Sequence, residues 1–195
     1  MKAKTKTKAL VLSLCAVLLV AVSVFTTIAF LKASDSVENT FTVGKVSITL
    51  DEAKVNEYGN TVSGADRVKE NTYKLIPGHS YTKDPTVHFA AGSEASWLFV
   101  KVENGLSAIE ADTTIAAQIV ANGWTVLGGE GNDGIYYRKV DATTVNKDYP
   151  VFGSFKLSGN AAVASYAAAK ITVTAYAIQA DGFDTAAAAW AEASK

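Results

Sequence analysis

The sequence of 195 residues carries 18 basic and 19 acidic side chains, two histidines and a single cysteine, Cys15. Lys2, Lys4, Lys6 and Lys8 crowd the first eight positions without an acid, so the chain from residue 30 onward keeps 14 basic residues against all 19 acids, a charge of about −5. That balance argues against nucleic acid as a partner. Loss of Cys15 with an N-terminal leader would exclude disulfides and thiolate metal sites, leaving a packed core to hold the domain together.

Residues 9–29 form an unbroken weakly polar or apolar run behind the lysines, the n-region and h-region of a secretory signal. The run is also about as long as a bilayer-spanning helix requires. Its end separates the two readings: Thr27-Ile28-Ala29 offers small residues at the positions a signal peptidase reads, and the chain turns polar at Lys32, Ser34, Asp35 and Ser36. Cleavage is expected between Ala29 and Phe30, with a signal peptidase as the partner during export and the membrane met only through the leader. The expected location is extracellular or on the cell surface. Cys15 follows Leu12-Ser13-Leu14, which lacks the small residue of a lipoprotein signal.

From Asn39 the pattern changes to short alternating runs divided by Gly, Asn and Asp, as in an antiparallel β domain. A first strand is expected over 41–50, with a bulge at Gly44 because the apolar parity changes there. Residues 51–71 read as a loop or weak hairpin, 72–76 as a strand stopped by Pro77-Gly78, and 86–90 as a strand after Asp84-Pro85. Residues 97–103 give the strongest strand signal, with Leu98, Val100 and Val102 on one face. The helical spacing of Ile115, Ile119 and Val120 predicts one amphipathic helix over 112–122, capped by Asp112 or Thr113 and stopped at Asn122-Gly123. Strands are expected over 124–127, 134–140, 150–157 and 170–179, and a C-terminal alanine-rich helix over 184–195, capped by Asp184 and packed through Trp190.

Eight or nine half-buried strands can cover each other only as two facing sheets. The expected fold is therefore all-β, an antiparallel β-sandwich, jelly-roll-like, with one short inserted helix, a C-terminal helix and an N-terminal signal helix. Residues 1–29 are assigned to the signal, 41–183 to the sandwich and 184–195 to the terminal helix.

Catalytic motifs are weak. Gly129-Glu130-Gly131-Asn132-Asp133-Gly134 has the spacing of a dinucleotide loop, but it is acidic and runs into the strand-like Ile135-Tyr136-Tyr137 rather than a helix, so it reads as a hairpin turn. Glu130 and Asp133 lack the ligand order of a calcium loop. His79 lies in a turn and His88 in a strand, with no H-E-x-x-H stretch, and no serine sits in a nucleophile elbow. No catalytic residue, metal ligand or cofactor is expected. The aromatic residues Trp97, Phe99, Trp124, Tyr136, Tyr137, Phe152, Phe155 and Tyr176 read as core, with a carbohydrate or peptide platform as the other reading.

The long h-region, the junction Thr27-Ile28-Ala29-Phe30 and the segment Asn39-Thr40-Phe41-Thr42-Val43-Gly44-Lys45-Val46-Ser47-Ile48 together resemble the TasA/camelysin family of exported fibre proteins, which pass through a dedicated signal peptidase. Weaker echoes are Leu75-Ile76-Pro77-Gly78, the strand over 97–104 and the segment 175–183. One departure is that Leu31-Lys32-Ala33 follows Phe30, where members commonly have Phe-(Thr/Asn)-Asp. The resemblance implies a jelly-roll subunit of a biofilm-matrix type of fibre, polymerising by donor-strand exchange with further copies and possible accessory fibre proteins. Residues 30–43 would be the donor, anchored by Phe30, Leu31, Ala33, Val37, Phe41 and Val43. A frayed polar linker is the alternative for that segment. Because some camelysin relatives are described as metallopeptidases, a surface metallopeptidase is a second functional reading, and a monomeric adhesin or ligand-binding module a third. A type IV-like pilin is disfavoured, since its apolar helix follows the processing site and Ser34 stands where a pilin has glutamate.

Overall fold

The computed structural model describes residues 8, 14–17 and 44–195. Residues 8 and 14–17 are helical; the rest of the signal expectation, the junction Ala29/Phe30 and the donor candidates Phe30, Leu31, Ala33, Val37, Phe41 and Val43 lie outside the described residues. The chain divides into two units, Met1–Thr42 and Val43–Lys195, and the fold that follows is that of the second. Among the described residues no helix is long and apolar enough to cross a membrane.

In chain order the elements are β1 (Ile48–Asp51), β2 (Ser80–Thr82), β3 (Thr86–Phe89), β4 (Ser96–Asn104), α1 (Ile115–Ala121), β5 (Thr125–Val126), β6 (Ile135–Val140), β7 (Lys147–Pro150), β8 (Ser154–Lys156), β9 (Ile171–Gln179) and α2 (Ala186–Ala193). One sheet has the order β1-β3-β7, a second the order β5-β6-β4-β9, and β2 pairs with β8; every pairing is antiparallel. This is the all-β sandwich expected from the alternation.

Alternation on β4 explains why two layers form. Leu98, Val100 and Val102 enter the core between the sheets, against Val87 and Phe89 of β3, Tyr136 and Val140 of β6, and Phe152, Phe155 and Leu157. Trp97 and Phe99 point the other way, and α2 closes over them with Ala186, Ala189 and Trp190. Burying each large apolar side chain of this kind stabilises the fold by roughly 1.5–3 kcal/mol. β4 is thus buried on both faces, whereas Glu103 at its end reaches solvent.

The expected strand over 150–157 is instead two, β7 and β8, because the ladder breaks where Pro85 has no N–H to give. Across the break Val151 N donates to Pro85 O at 2.8 Å and Lys83 N to Gly153 O at 3.2 Å, so the chain bends without losing its partner. Residues 72–76 are not a strand. Tyr73 and Leu75 still turn inward, but the Tyr81 hydroxyl takes up the local backbone, accepting from Ile76 N and donating to Lys74 O, both at 2.7 Å. β1 begins at Ile48 rather than 41, and no bulge forms at Gly44, which lies outside any strand: its partner β3 ends at Phe89, and Ala90 N and Glu94 N reach Ser47 O and Lys45 O instead. Residues 51–71 do form a weak hairpin, bridged at Glu52 to Val68 and Val55 to Thr61.

Both helix starts lie one or two residues later than expected. Thr114 caps α1, its hydroxyl accepting from Ala117 N at 3.2 Å, while Asp112 turns its carboxylate to Lys156 at 2.7 Å. Thr185, not Asp184, caps α2 by the same bond to Ala188 N. α1 stops where expected, with Gly123 at φ 83° in the left-handed region.

Candidate functional site

β1 and β9 are the outermost strands of their sheets on one side of the sandwich, and among the described residues neither has a further strand on its outer side. Between them runs a groove of about 930 Å³. Its walls are Ile48 and Leu50 from β1 and Ile171, Val173 and Ala175 from β9, with Tyr73, Leu75 and Phe155 beneath. All of these except the buried Phe155 are only half-buried, so the apolar row of β9 read from the sequence is left partly open here. Cα atoms of β1 and β9 come within 8 Å of each other, so the sheets converge under the groove.

One end of the groove is polar and built. Glu52 is 4% exposed, and its carboxylate accepts from Lys83 Nζ at 2.5 Å and Asn71 Nδ2 at 2.9 Å. Asn71 in turn accepts from Val55 N at 3.0 Å, which fixes its amide. A buried ion pair of this kind holds its geometry because either partner alone would be left as an uncompensated charge. Burial pushes the Tyr73 phenol well above its ordinary pKa, and the charges of Glu52 and Asp84 push the same way, so it serves as a donor, to Thr82 O at 3.0 Å.

On the outer face of the three-stranded sheet, His88 of β3 lies between Asp51 of β1 and Asp148 of β7. Its Nε2 is 2.8 Å from Asp51 Oδ1 and its Nδ1 is 2.6 Å from Asp148 Oδ1. Only the imidazolium has a proton for each nitrogen. Burial opposes that charge, but the bonds to Asp51 and Asp148 outweigh it and hold the His88 pKa above the usual histidine value. Asp51 shows the converse: burial raises its pKa, yet Arg67 and His88 bring the net shift downward. Arg67 ties this ladder to the neighbouring loop through Asp51 and, at 3.0 Å, Asp84 Oδ2.

The residues weighed for chemistry are scattered. His79 Nε2 meets Tyr58 O at 2.9 Å and its ring lies edge-on to Tyr81, on a different element from His88. The two carboxylates at His88 sit on opposite nitrogens and do not converge. Among the described residues no three His, Cys, Asp or Glu side chains could hold one metal ion. The glycine-rich loop joins β5 to β6 as a turn: Gly134 has φ 73°, and a Cβ there would lie 2.4 Å from Val102 O. Of the aromatic residues, Trp97, Phe99, Trp124, Tyr136, Phe152 and Phe155 are buried, and Tyr137 and Tyr176 half-buried against the second cluster.

The Glu52, Asn71 and Lys83 cluster and the Asp51, His88 and Asp148 ladder were not foreseen from the sequence. The density of opposite charges within 51–84 was the signal for the first; the second depends on strand register. Compared with protein-family models, characterised proteins and solved structures, the chain matches none.

Proposed function

We propose that the protein is a non-catalytic structural subunit of an extracellular or cell-surface fibre, in which residues 30–43 of one copy are laid along the β1/β9 groove of the next. The observation that supports this most is the outer edge of β9, nine residues long and without a partner strand among the described residues, beside a row of half-buried apolar side chains. An open strand edge offers main-chain hydrogen bonds to an added strand, and a row of apolar pockets at every second position selects its side chains. Because the sheets converge beneath the groove, the added strand lies at its mouth, on β9. Fourteen extended residues reach about 46 Å, enough for the roughly 30 Å of β9 and a short link.

Parity orders the anchors. Leu31, Ala33, Val37, Phe41 and Val43 fall on the same side of an extended strand, and Phe30 on the other. The first group would fill the groove. In this reading cleavage at Ala29/Phe30 is what frees the donor.

Electron microscopy of the protein beginning at Phe30, beside a form lacking residues 30–40, tests the reading. Fibres are expected only from the first. Equal fibres from both would end it.

A further inference from the structure

The polar end of the groove holds more than an ion pair. The Glu52 carboxylate meets two different nitrogens, the amine of Lys83 2.5 Å from Oε2 and the amide of Asn71 2.9 Å from Oε1. The three side chains come from separate stretches of chain: Glu52 directly follows β1, Asn71 closes the weak hairpin, and Lys83 lies between β2 and β3. The side chains of Lys83 and Glu52 are only 11% and 5% exposed. The Asn71 amide is fixed at both of its atoms, because Nδ2 also donates to Ala53 O at 2.9 Å and Oδ1 accepts from Val55 N at 3.0 Å. No cysteine follows Cys15 in the chain, so a disulfide cannot staple this region.

An amine, a carboxylate and an amide in mutual reach are the parts of an acyl transfer: a nucleophile, a base and an electrophile. We infer that Lys83 and Asn71 become joined by an isopeptide bond between their side chains, with Glu52 as the catalytic carboxylate of this single self-modification. Glu52 Oε2 takes a proton from the Lys83 ammonium, and the freed amine attacks Cγ of Asn71. The developing charge on Oδ1 is met by the N–H of Val55, which already donates to that oxygen. Glu52 hands its proton to Nδ2 through Oε1 and draws the next from the attacking nitrogen, and the bond from Cγ to Nδ2 breaks. The products are a secondary amide and ammonia, which leaves through the groove and carries the remaining proton away as ammonium; neither oxidant nor co-reactant is needed. Two features favour this outcome over a plain ion pair. One carboxylate holds both partners, the proximity that makes a slow bimolecular aminolysis an intramolecular step. Burial of the amine and the carboxylate, beside Tyr73 and Phe155 in the groove wall, keeps out the water that would compete as nucleophile.

Mass spectrometry of the purified protein after denaturation tests the bond. The intact mass is expected to fall short of that of its sequence by one ammonia. Trypsin cannot cut after an acylated Lys83, so the digest should contain peptide 70–74 joined to peptide 75–101 through Asn71 and Lys83. Lys83→Arg keeps a cation for Glu52 but has no amine nucleophile, and it should have the full mass. Glu52→Gln, which keeps both partners and removes the base, should slow the joining by roughly 100-fold or more and be isolated unjoined, with circular dichroism showing both variants folded. Recovery of 70–74 and 75–83 as separate peptides from folded native protein after long incubation at neutral pH would overturn the inference. So would an ammonia loss without the branched peptide, as when an asparagine closes on its own backbone, or an equal yield of that peptide from Glu52→Gln.

Discussion

The two long sides of the sandwich are finished differently. Between β6 and β7 the gap is plugged by Trp124, whose indole donates to Pro150 O at 2.9 Å, and by α1, whose Gln118 and Asn122 bond the backbone at 151–154. Between β1 and β9 no comparable plug is present among the described residues, and the apolar row of β9 ends in small or half-buried side chains. A closed side takes its strength from large buried groups whose polar atoms are mostly directed to partners. An open side costs stability that the closed one supplies, and in return keeps a strand edge available.

Substitutions on the two sides should therefore separate stability from association. The largest effect is expected at the plug: Trp124→Ala should cost about 3–5 kcal/mol in urea unfolding, and a loss below 1 kcal/mol would show that the side is not closed by this residue. Next comes the built end of the groove, where Lys83→Met leaves the Glu52 carboxylate buried and unpaired; about 3 kcal/mol should be lost, and Glu52→Gln in the same background should recover part of it.

A pH-dependent effect follows from His88. Its folded pKa is raised, so the imidazolium's stabilisation is fully present below the unfolded value of about 6.5 and is lost as pH rises through the folded value. The melting temperature of the native protein relative to His88→Gln should fall between pH 6 and pH 9; a constant difference would refute the ladder. Smallest in stability is Val173→Ser, about 1 kcal/mol or less because Val173 is half-exposed. Yet it should reduce fibre formation in sedimentation more than Trp124→Ala does at temperatures where both are folded. The reverse ranking would move the joining surface away from β9.

Local pattern made the central strands readable. β3, β4, β6 and β9 appeared within one or two residues because each carries its own alternation, and Gly123 marked the end of α1. Tyr73 and Leu75 alternate just as a strand does, but their backbone is satisfied by a hydroxyl from Tyr81, a contact that periodicity cannot register. The strand over 150–157 broke because of a proline on its partner. Likewise the groove depends on what faces Ile171, Val173 and Ala175 across space, and the charge ladder on Asp51, His88 and Asp148 meeting across three strands. Neither is encoded in a window of neighbours.

The pairing of β4 with β9 has a consequence for how the chain comes into being. Asn104 meets Ile171 and Ser96 meets Gln179, so the longest ladder joins the middle of the chain to its last quarter, and α2 then covers the Trp97 and Phe99 face. A ribosome that has made 170 residues holds a polypeptide lacking both. Until synthesis is nearly finished the nascent chain cannot settle into its final form.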